Sequence, residues 1–318
     1  MKKLAIGFDF GATWMKAGLV DQNGFVIHQI KKKTNAYFGK ITIIKKIESI
    51  IIQLIQKAGD NKVFGIGLGA PGPIDFNKGI IINPPNLPGW HNVYLRKILK
   101  DKFKLPAIID NDTNLILLGE QFKGVARDKK NVILITVGTG IGGAILVKGE
   151  IYRGSKGRAG EFGHIIINSN NREKCGCGSY SCLETFASVT AMVELVKKSI
   201  KKGKISQINK LVNNNLDKID GLTIYRAAQK GDKLAQDSLK IIAKNLGYGV
   251  CSLINIFDPD MIIVGGQITK TGKYFWQSLR QSIKKNCCLI KNIQIVKIKL
   301  GDKSGILGGA FLVFNSIK

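Results

Sequence analysis

Apolar positions along this chain follow the period of a strand in some segments and that of a helix in others. Apolar runs at residues 4–8 and 17–20, and at 25–30 after a DQNG turn, predict strands. Between residues 41 and 55 the spacing changes to that of a helix with one apolar face, formed by positions 41, 44, 47, 51, 54 and 55. Gly59 ends this helix.

The same two periods continue through the rest of the sequence. Strands are predicted at 63–69, 107–109, 132–137, 144–147, 261–264 and 293–298. Helices are predicted from about 112 to 122, at 188–201, 223–230 and 232–257, from after Gly266 to about 285, and after Lys303. Such mixed strands and helices indicate two α/β domains around a cleft. We expect one domain at 1–117, with 304–318 returning to it, and a larger one at 118–303 that contains a cysteine-rich segment.

Two segments of the chain match at a constant offset. Gly11 and Gly138, Ala17 and Ala144, and Val20 and Val147 are each separated by 127 residues. A duplicated strand, glycine turn and strand explains this agreement, although small apolar residues are common in strands and can agree by chance. Asp9 is matched by Thr136, so the first copy alone has a carboxylate at this point.

Composition and charge narrow the class of protein. The 318 residues are 44% apolar, which is typical of a protein with a hydrophobic core, and the first residues resemble neither a signal peptide nor a membrane span. We therefore expect a cytoplasmic protein. The net charge of +27 would suit nucleic acid or an anionic membrane. Because the lysines are spread through surface segments rich in Ile and Asn, we favour a solvated basic surface and expect neither partner, only a preference for anionic ligands such as nucleotides.

The segment EFGHIIINSNNREKCGCGSYSCLE combines soft metal ligands with carboxylates. His164, Cys175, Cys177 and Cys182 suit one tetrahedral ion, most simply zinc, in a closed structural site. Three cysteines this close together indicate metal binding in a reducing compartment, whereas Cys251, Cys287 and Cys288 are interpreted as buried or bystander thiols. Glu161 and Glu184 bracket the cluster, and a metal that fixes the loop can hold such carboxylates ready for a polar substrate.

Three glycine-containing segments follow predicted strands. Asp9-Phe10-Gly11-Ala12-Thr13 offers backbone amides and a hydroxyl to a phosphate, and Asp9 can hold Mg²⁺ through water. The loop Gly138-Thr139-Gly140-Ile141-Gly142-Gly143 matches it by repeat, and Gly265-Gly266 allows a flat nucleoside to approach the backbone. Each segment alone is also what an ordinary turn at a strand end requires. Two phosphate loops together are much more specific.

Polar residues also cluster where the strand at 107–109 ends. Asp112 can simply cap the following helix, as carboxylates often do. Asp110 and Asn111 beside it exceed what a cap requires, so we expect Asp112 to accept a hydroxyl proton and Asn111 to bind a neighbouring hydroxyl.

Together these segments resemble the ROK family, which contains sugar kinases and sugar-responsive repressors, over nearly the whole chain. The motifs DFGAT and TVGTGIGGAILVKGEIYRG resemble its two phosphate loops, and IIVGG its nucleoside strand. LGAPGPID, NPPNLPGW, DNDTNLILLGE and GRAGEFGH resemble its sugar-side and catalytic segments, and CGCGSYSCLE its zinc motif. The resemblance implies an actin-like ATPase fold, related to ribonuclease H, in which the two domains enclose an interdomain cleft.

The resemblance also implies ATP-dependent phosphorylation of the 6-hydroxyl of a hexose, glucose in particular, with Asp112 as the base. It implies a homodimer or homotetramer that uses ATP, Mg²⁺ and structural Zn²⁺. The implied sugar contacts are Gly72, Asn86, Asn111, Asp112, Glu161, His164 and Glu184, with His164 also a zinc ligand. The implied nucleotide and magnesium contacts are Asp9, Gly11, Ala12, Thr13, Gly138, Thr139, Gly140, Gly265 and Gly266.

Three positions depart from the family's pattern. Ala12 and Trp14 replace a glycine and a lysine in the first loop, and Ser181 replaces a glycine before the last cysteine. A serine at 181 would be strained if that position requires positive φ.

Several alternatives remain open at this point. The substrate can be mannose, N-acetylmannosamine, allose or fructose, and the protein can be a sugar sensor without catalysis. Only eight residues precede Asp9, which is too few for the DNA-binding domain of a repressor. A different actin-like enzyme, such as an acyl-phosphate kinase, does not explain the zinc motif.

Overall fold

The chain contains two five-stranded sheets and divides into two units. The computed structural model describes residues 2–84, 87–168, 170, 173–287 and 293–317. The first unit comprises Met1–Lys130, Ala144–Ala159 and Ile298–Lys318, and the second comprises Asn131–Gly143 and Gly160–Lys297.

The strands agree closely with the predicted ones and add three strands of two residues each. They are β1 (Lys3–Phe10), β2 (Trp14–Asp21), β3 (Val26–Lys33), β4 (Lys62–Ala70), β5 (Ile74–Asp75), β6 (Ile80–Ile81), β7 (Ala107–Asn111), β8 (Val132–Val137), β9 (Ile141–Val147), β10 (Glu150–Ile151), β11 (Met261–Gly265) and β12 (Gln294–Lys297). The hairpin of β5 and β6 was not predicted, because strands of two residues have no detectable period.

The helices are α1 (Gly39–Ala58), α2 (Leu95–Phe103), α3 (Asp112–Lys123), α4 (Leu183–Ala187), α5 (Val189–Lys201), α6 (Ile208–Leu211), α7 (Gly221–Gln229), α8 (Lys233–Phe257), α9 (Lys273–Asn286) and α10 (Ser304–Ser316). Helix α2 was missed by the sequence analysis. Among the described residues, no helix is both long enough and apolar enough to cross a membrane.

The predicted apolar face of α1 was partly wrong. Gly59 ends the helix as expected, and Ile47, Ile51 and Leu54 are buried. Ile41, however, is 69% exposed, whereas Ile43 is buried. At 100° per residue, position 41 lies about 200° around the helix from position 43, so both cannot face the core.

The first sheet has the order β3-β2-β1-β4-β7 and is covered on both faces. Alternate residues of β1 point to opposite faces, as the period of a strand requires. Leu4, Ile6 and Phe8 belong to a core with the isoleucines of α1, while Ala5 packs with Ile306 of α10. Strands β1, β4 and β7 run parallel, and β2 and β3 run antiparallel to their neighbours.

Helix α10 lies unusually close to this sheet. A side chain at Gly7 of β1 would overlap the carbonyl of Ile306, and one at Gly67 of β4 would overlap the carbonyl of Gly309. Glycine is therefore required at these positions by close backbone approach, and the C-terminal helix packs directly on the strands that end at Phe10 and Ala70.

The second sheet repeats the order of the first. Its order is β10-β9-β8-β11-β12, with β8, β11 and β12 parallel, so β8 takes the place of β1 and β9 that of β2. The duplication predicted from the offset of 127 residues is therefore confirmed at the level of topology. In the second unit the long helix α8 packs against α4, α5, α7 and α9.

Candidate functional site

The candidate residues of the first unit lie at one edge of its sheet. In the parallel register, Asp9 of β1 is opposite Gly69 of β4, and Gly69 is opposite Asp110 of β7. Because the carboxyl ends of parallel strands share an edge, the Asp9 loop, the turn after β4 and the Asp110–Asp112 segment are neighbours. This edge is where ligands bind in open α/β sheets.

Asp9 lies in an ion network. Its Oδ2 is 3.5 Å from the ammonium of Lys16, which is also 3.2 Å from Oδ1 of Asp302. Burial raises the pKa of the Asp9 carboxyl, and the Lys16 charge partly offsets this effect. The pKa of Lys16 is also raised, because the two carboxylates outweigh its burial. The charge of Asp9 is therefore already partly compensated by a protein cation.

The first glycine loop is fastened by Thr34, a residue that the sequence analysis missed. The buried Thr34 donates its hydroxyl to the carbonyl of Gly11 at 2.6 Å, and its backbone N–H donates to the carbonyl of Thr13 at 2.9 Å. Gly11 also donates its N–H to the carbonyl of Trp14 at 3.0 Å. No local pattern at Thr34 indicates this role, since the contact spans more than twenty residues.

Trp14, one of the three departures, lies at the surface. Its side chain is 37% exposed, and the ammonium groups of Lys31 and Lys33 lie 5.0 and 5.9 Å from the ring centre. The register of β2 with β3 explains this arrangement, because Trp14 is paired with Lys33. The ring therefore packs against the lysines of the outer strand.

The segment after β7 forms a tight turn into α3. Asn111 caps the helix, since its Oδ1 accepts the Thr113 N–H at 2.9 Å, and its Nδ2 donates to the carbonyl of Gly72 at 3.2 Å. Oδ1 of Asp112 accepts the same Thr113 N–H at 2.7 Å. The N-cap of α3 is therefore Asn111 and not Asp112, which is the first residue of the helix, and the segment gathers polar groups at the sheet edge.

In the second unit, the carboxylate of Glu184 packs against the loop Gly138–Gly140. Oε2 of Glu184 accepts the Ile141 N–H at 2.8 Å, and a side chain at Gly140 would collide with the same oxygen. The start of α5 adds two bonds, from the Val189 N–H to the carbonyl of Gly138 and from the Thr190 hydroxyl to the carbonyl of Thr139. One oxygen of Glu184 therefore positions the glycine loop.

A cavity of about 460 Å³ adjoins this loop. Gly138 and Thr139 lie on its wall with Gln267, Ile268 and Lys270, and α5 and α7 add four mostly apolar side chains: Val189, Met192, Leu222 and Tyr225. Its size and largely apolar lining are those of a small-molecule site. Gly266, beside it, has φ of 92°, and a side chain there would overlap the carbonyl of Val137, so this turn itself requires glycine.

The four predicted metal ligands lie together. One ligand atom from each of His164, Cys175, Cys177 and Cys182 is within 4.8 Å of all the others. Cys177 Sγ is 3.8 Å from Cys182 Sγ, and Cys175 Sγ is 3.7 Å from Nδ1 of His164. Ligands at tetrahedral angles and zinc bond lengths are about 3.5–3.8 Å apart, so the donor set fits such an ion.

The environment of the cluster affects how it takes up a metal. Burial raises the pKa of the Cys182 thiol to about 12 and also raises that of Cys175, whereas a backbone hydrogen bond at Ser179 lowers the pKa of Cys177. A metal ion must therefore displace protons from this set. Nε2 of His164, on the other side of the ring, is 3.9 Å from Oε2 of Glu161.

Ser181, which replaces a glycine of the family's pattern, has a positive φ, the conformation that strains a serine. Its φ is 61° and it is 4% exposed, inside a loop where its N–H donates to the carbonyl of Glu173 and its carbonyl accepts the Ile167 N–H. The left-handed conformation is unfavourable for residues with a Cβ atom. This loop therefore carries a local strain that glycine would not have.

Not every predicted site residue can be placed. Asn86 lies outside the described residues, as does Cys288. Gly265 ends β11 opposite Thr136, and Ala12 and Thr13 form the turn between β1 and β2. The remaining candidates are divided between the two units: Asp9, Gly11, Ala12, Thr13, Gly72, Asn111 and Asp112 belong to the first, and Gly138, Thr139, Gly140, Glu161, His164, Glu184, Cys175, Cys177, Cys182, Gly265 and Gly266 belong to the second.

Comparison with known proteins agrees with the resemblance. The ROK family model matches residues 5–316. The chain belongs to the ROK family. Two relatives illustrate its range: a glucokinase of Thermotoga maritima is 31% identical over 310 residues, covering 97% of this chain and 96% of the relative. A xylose repressor of Caldicellulosiruptor bescii is 33% identical over 316 residues, covering 98% of this chain and 78% of the relative.

The fold of this ROK protein is also shared with solved structures. A ROK family glucokinase from Streptomyces griseus, in complex with glucose and AMPPNP, has a TM-score of 0.86 and 31% identity and covers 98% of this chain and 100% of that chain. The predicted actin-like ATPase fold is thus confirmed. The chain is similar to sugar kinases, and it is similar to repressors as well.

The strain at Ser181 gives a testable expectation for this ROK protein. Ser181→Gly and Ser181→Ala both remove the hydroxyl, so their difference isolates the backbone. We expect the glycine variant to have the higher free energy of unfolding, by about 1 kcal/mol, because only glycine is unstrained at this φ. Thermal or urea unfolding at equal metal content measures it.

The control is the same pair of substitutions at Ser179, which is exposed and does not have positive φ. There we expect alanine to be at least as stable as glycine. The same order at both positions would show that φ at 181 carries no strain.

Proposed function

We propose that this protein is an ATP-dependent hexose kinase that transfers the γ-phosphate to the 6-hydroxyl of glucose. One observation carries the proposal: the register of β1, β4 and β7 brings Asp9, its glycine loop and the Asn111-Asp112 turn to one sheet edge. A phosphate-binding loop and a carboxylate base are the parts that a sugar kinase requires. The similarity to a glucokinase crystallised with glucose and AMPPNP supports the choice of substrates.

In this proposal Asp112 accepts the proton of the 6-hydroxyl as that oxygen attacks the γ-phosphate. Its carboxylate is oriented by the Thr113 N–H, which Oδ1 accepts at 2.7 Å, and by the Thr113 hydroxyl at 3.2 Å. Asn111 binds a neighbouring hydroxyl. Phosphoryl transfer depends chiefly on alignment and on neutralisation of charge, so no covalent intermediate with the protein is needed.

The nucleotide is assigned to the glycine segments. In each loop separately, the amides of Ala12 and Thr13 and those of Thr139 and Gly140 are offered to phosphate, whereas the N–H groups of Gly11 and Gly138 already donate to the carbonyls of Trp14 and Gly140. The cavity beside Gly138 and Gln267 accepts the nucleoside near Gly265 and Gly266. Asp9 suits Mg²⁺, because hard cations prefer carboxylate and phosphate oxygens. Magnesium would neutralise phosphate charge, and Lys16 is placed to compensate Asp9 when the ion is absent.

The remaining sugar contacts are assigned by the family resemblance. They are Gly72, Asn86, Glu161, His164 and Glu184. The orientation of His164 supports a role in both sites. Its Nδ1 faces Cys175 in the metal cluster, and its Nε2 faces the carboxylate of Glu161, another assigned sugar contact. Zinc at the four ligands would fix this loop and take no part in the transfer.

Purified protein with MgATP and a panel of hexoses tests the function. We expect ADP release to be fastest, by kcat/KM, with glucose, and slower with mannose, N-acetylmannosamine, allose and fructose. Calorimetry with glucose should accompany the assay. Glucose binding without turnover on any hexose would favour a sugar sensor, like the repressors among its relatives.

Asp112→Asn should lower kcat by ~10³-fold, because the amide cannot accept the proton while the turn keeps its shape. The dissociation constant for glucose should change little. Asp101→Asn is the matched control, since Asp101 is an exposed residue of α2 paired with Lys97. Near-normal turnover by Asp112→Asn would remove this residue from the role of base.

Elemental analysis should find one zinc per chain, and Cys182→Ser should lose it. Cys251→Ser is the control, because Cys251 is buried in α8 outside the cluster. Zinc affinity should be weaker at pH 6 than at pH 8, since the raised pKa of Cys182 means that a proton must leave before the thiolate binds. Equal zinc content in both variants would contradict the assigned ligands.

A further inference from the structure

Asp110 is a buried carboxylate for which the proposed mechanism gives no role. Its side chain is 2% exposed, yet both of its oxygens are occupied. Oδ1 accepts the backbone N–H of Asn111 at 2.7 Å and the side-chain amide of Asn114 at 2.8 Å. Oδ2 accepts two bonds from a single arginine. A buried charge with four hydrogen bonds is a costly arrangement that holds its surroundings in one geometry.

The arginine is Arg153, which comes from the segment after β10. Its Nε and Nη2 donate to Oδ2 of Asp110 at 3.0 and 2.7 Å, and its Nη1 donates to the carbonyl of Ile151 at 3.3 Å. The guanidinium carbon also lies 3.7 Å from the ring centre of Phe76, between β5 and β6. The planar group is thus fixed in position as well as in charge.

These contacts converge on the backbone of the proposed base. Asp110 bonds Asn111 directly, and through Asn114 it bonds the first turn of α3, so the Asn111-Asp112 segment is held from both sides. Removing the guanidinium would leave a buried carboxylate without its counter-ion. The carboxylate would then shift towards water and carry the Asn111 N–H with it.

We propose that Arg153, acting through Asp110, is a positioning residue that sets the orientation of the Asn111-Asp112 turn for sugar binding and proton acceptance. The role in catalysis rests on the proposed kinase function, whereas the geometry of the turn does not. Phe76 of the β5-β6 hairpin packs against the guanidinium of Arg153. Three separate segments of the first unit therefore meet at this guanidinium.

The test compares Arg153→Met and Arg153→Lys with Arg96→Met. Arg96 is the matched control because its guanidinium donates to the carbonyls of Asn77 and Phe76, whereas the arginine that bonds Asp110 is Arg153. At a temperature well below unfolding, Arg153→Met should lower kcat ~10- to 100-fold and weaken glucose binding ~10-fold. The KM for MgATP should remain unchanged. Arg153→Lys should have kcat and glucose affinity between those of the wild type and Arg153→Met, since an ammonium cannot reproduce the two hydrogen bonds that Nε and Nη2 donate to Oδ2 of Asp110.

Hydrogen exchange provides a measurement that needs no substrate. In Arg153→Met the amides of Asn111 and Thr113 should exchange at least ~10-fold faster, while Arg96→Met leaves them as in the wild type. If the wild-type protein proves not to be a kinase, faster exchange still supports the positioning of the turn. Unchanged exchange in Arg153→Met, or an equal effect of both methionine variants on exchange and kcat, would overturn the proposal.

Discussion

Close backbone contact between α10 and the first sheet is the constraint on which the candidate site depends. Gly7 and Gly67 lie against the carbonyls of Ile306 and Gly309 with no space for a side chain. A Cβ at Gly308 of the same helix would meet the carbonyl of Leu115 in α3. The last helix therefore holds β1, β4 and α3 at fixed spacing, and these are the elements that carry Asp9, Gly69 and Asp112.

A second contact fixes where α10 begins. Glu120 near the end of α3 is completely buried, and its carboxylate accepts the N–H groups of Val125, Lys299 and Leu300 and the hydroxyl of Ser304. A buried carboxylate is stable only when its oxygens are paired in this way. The chain is consequently directed into α10 beside Asp302, which reaches Lys16 and, through it, Asp9. The position of the helix and the charge near Asp9 thus have a common origin.

Sequence was sufficient for the features that depend on local pattern. The main strands, the duplicated topology, the clustering of the four candidate metal ligands and the polar turn into α3 follow from periodicity, spacing and residue type, and each is present in the structure. Thr34, Glu120 and Arg153 were missed, because each acts on residues that are distant in the chain. A threonine or an arginine gives no local signal of such a contact. Ile41 was misplaced for a different reason, since an isoleucine-rich helix offers more apolar positions than one face can bury.

The duplication also explains how chemistry is divided between the two sheets. Both have the same strand order, but Asp9 of β1 corresponds to Thr136 of β8, and β12, the counterpart of β7, ends at Lys297 without an acid. The first copy therefore keeps the carboxylates. The second instead carries the glycine loop over Glu184 and, between β10 and α4, the metal-ligand segment. Since strand order is shared, the difference lies in side chains at strand ends and in the connections between strands: α1 joins β3 to β4, whereas α4 to α8 and, before them, the metal-ligand loop join β10 to β11. The strained Ser181 lies in that loop, where four metal ligands can hold a conformation that the chain alone disfavours.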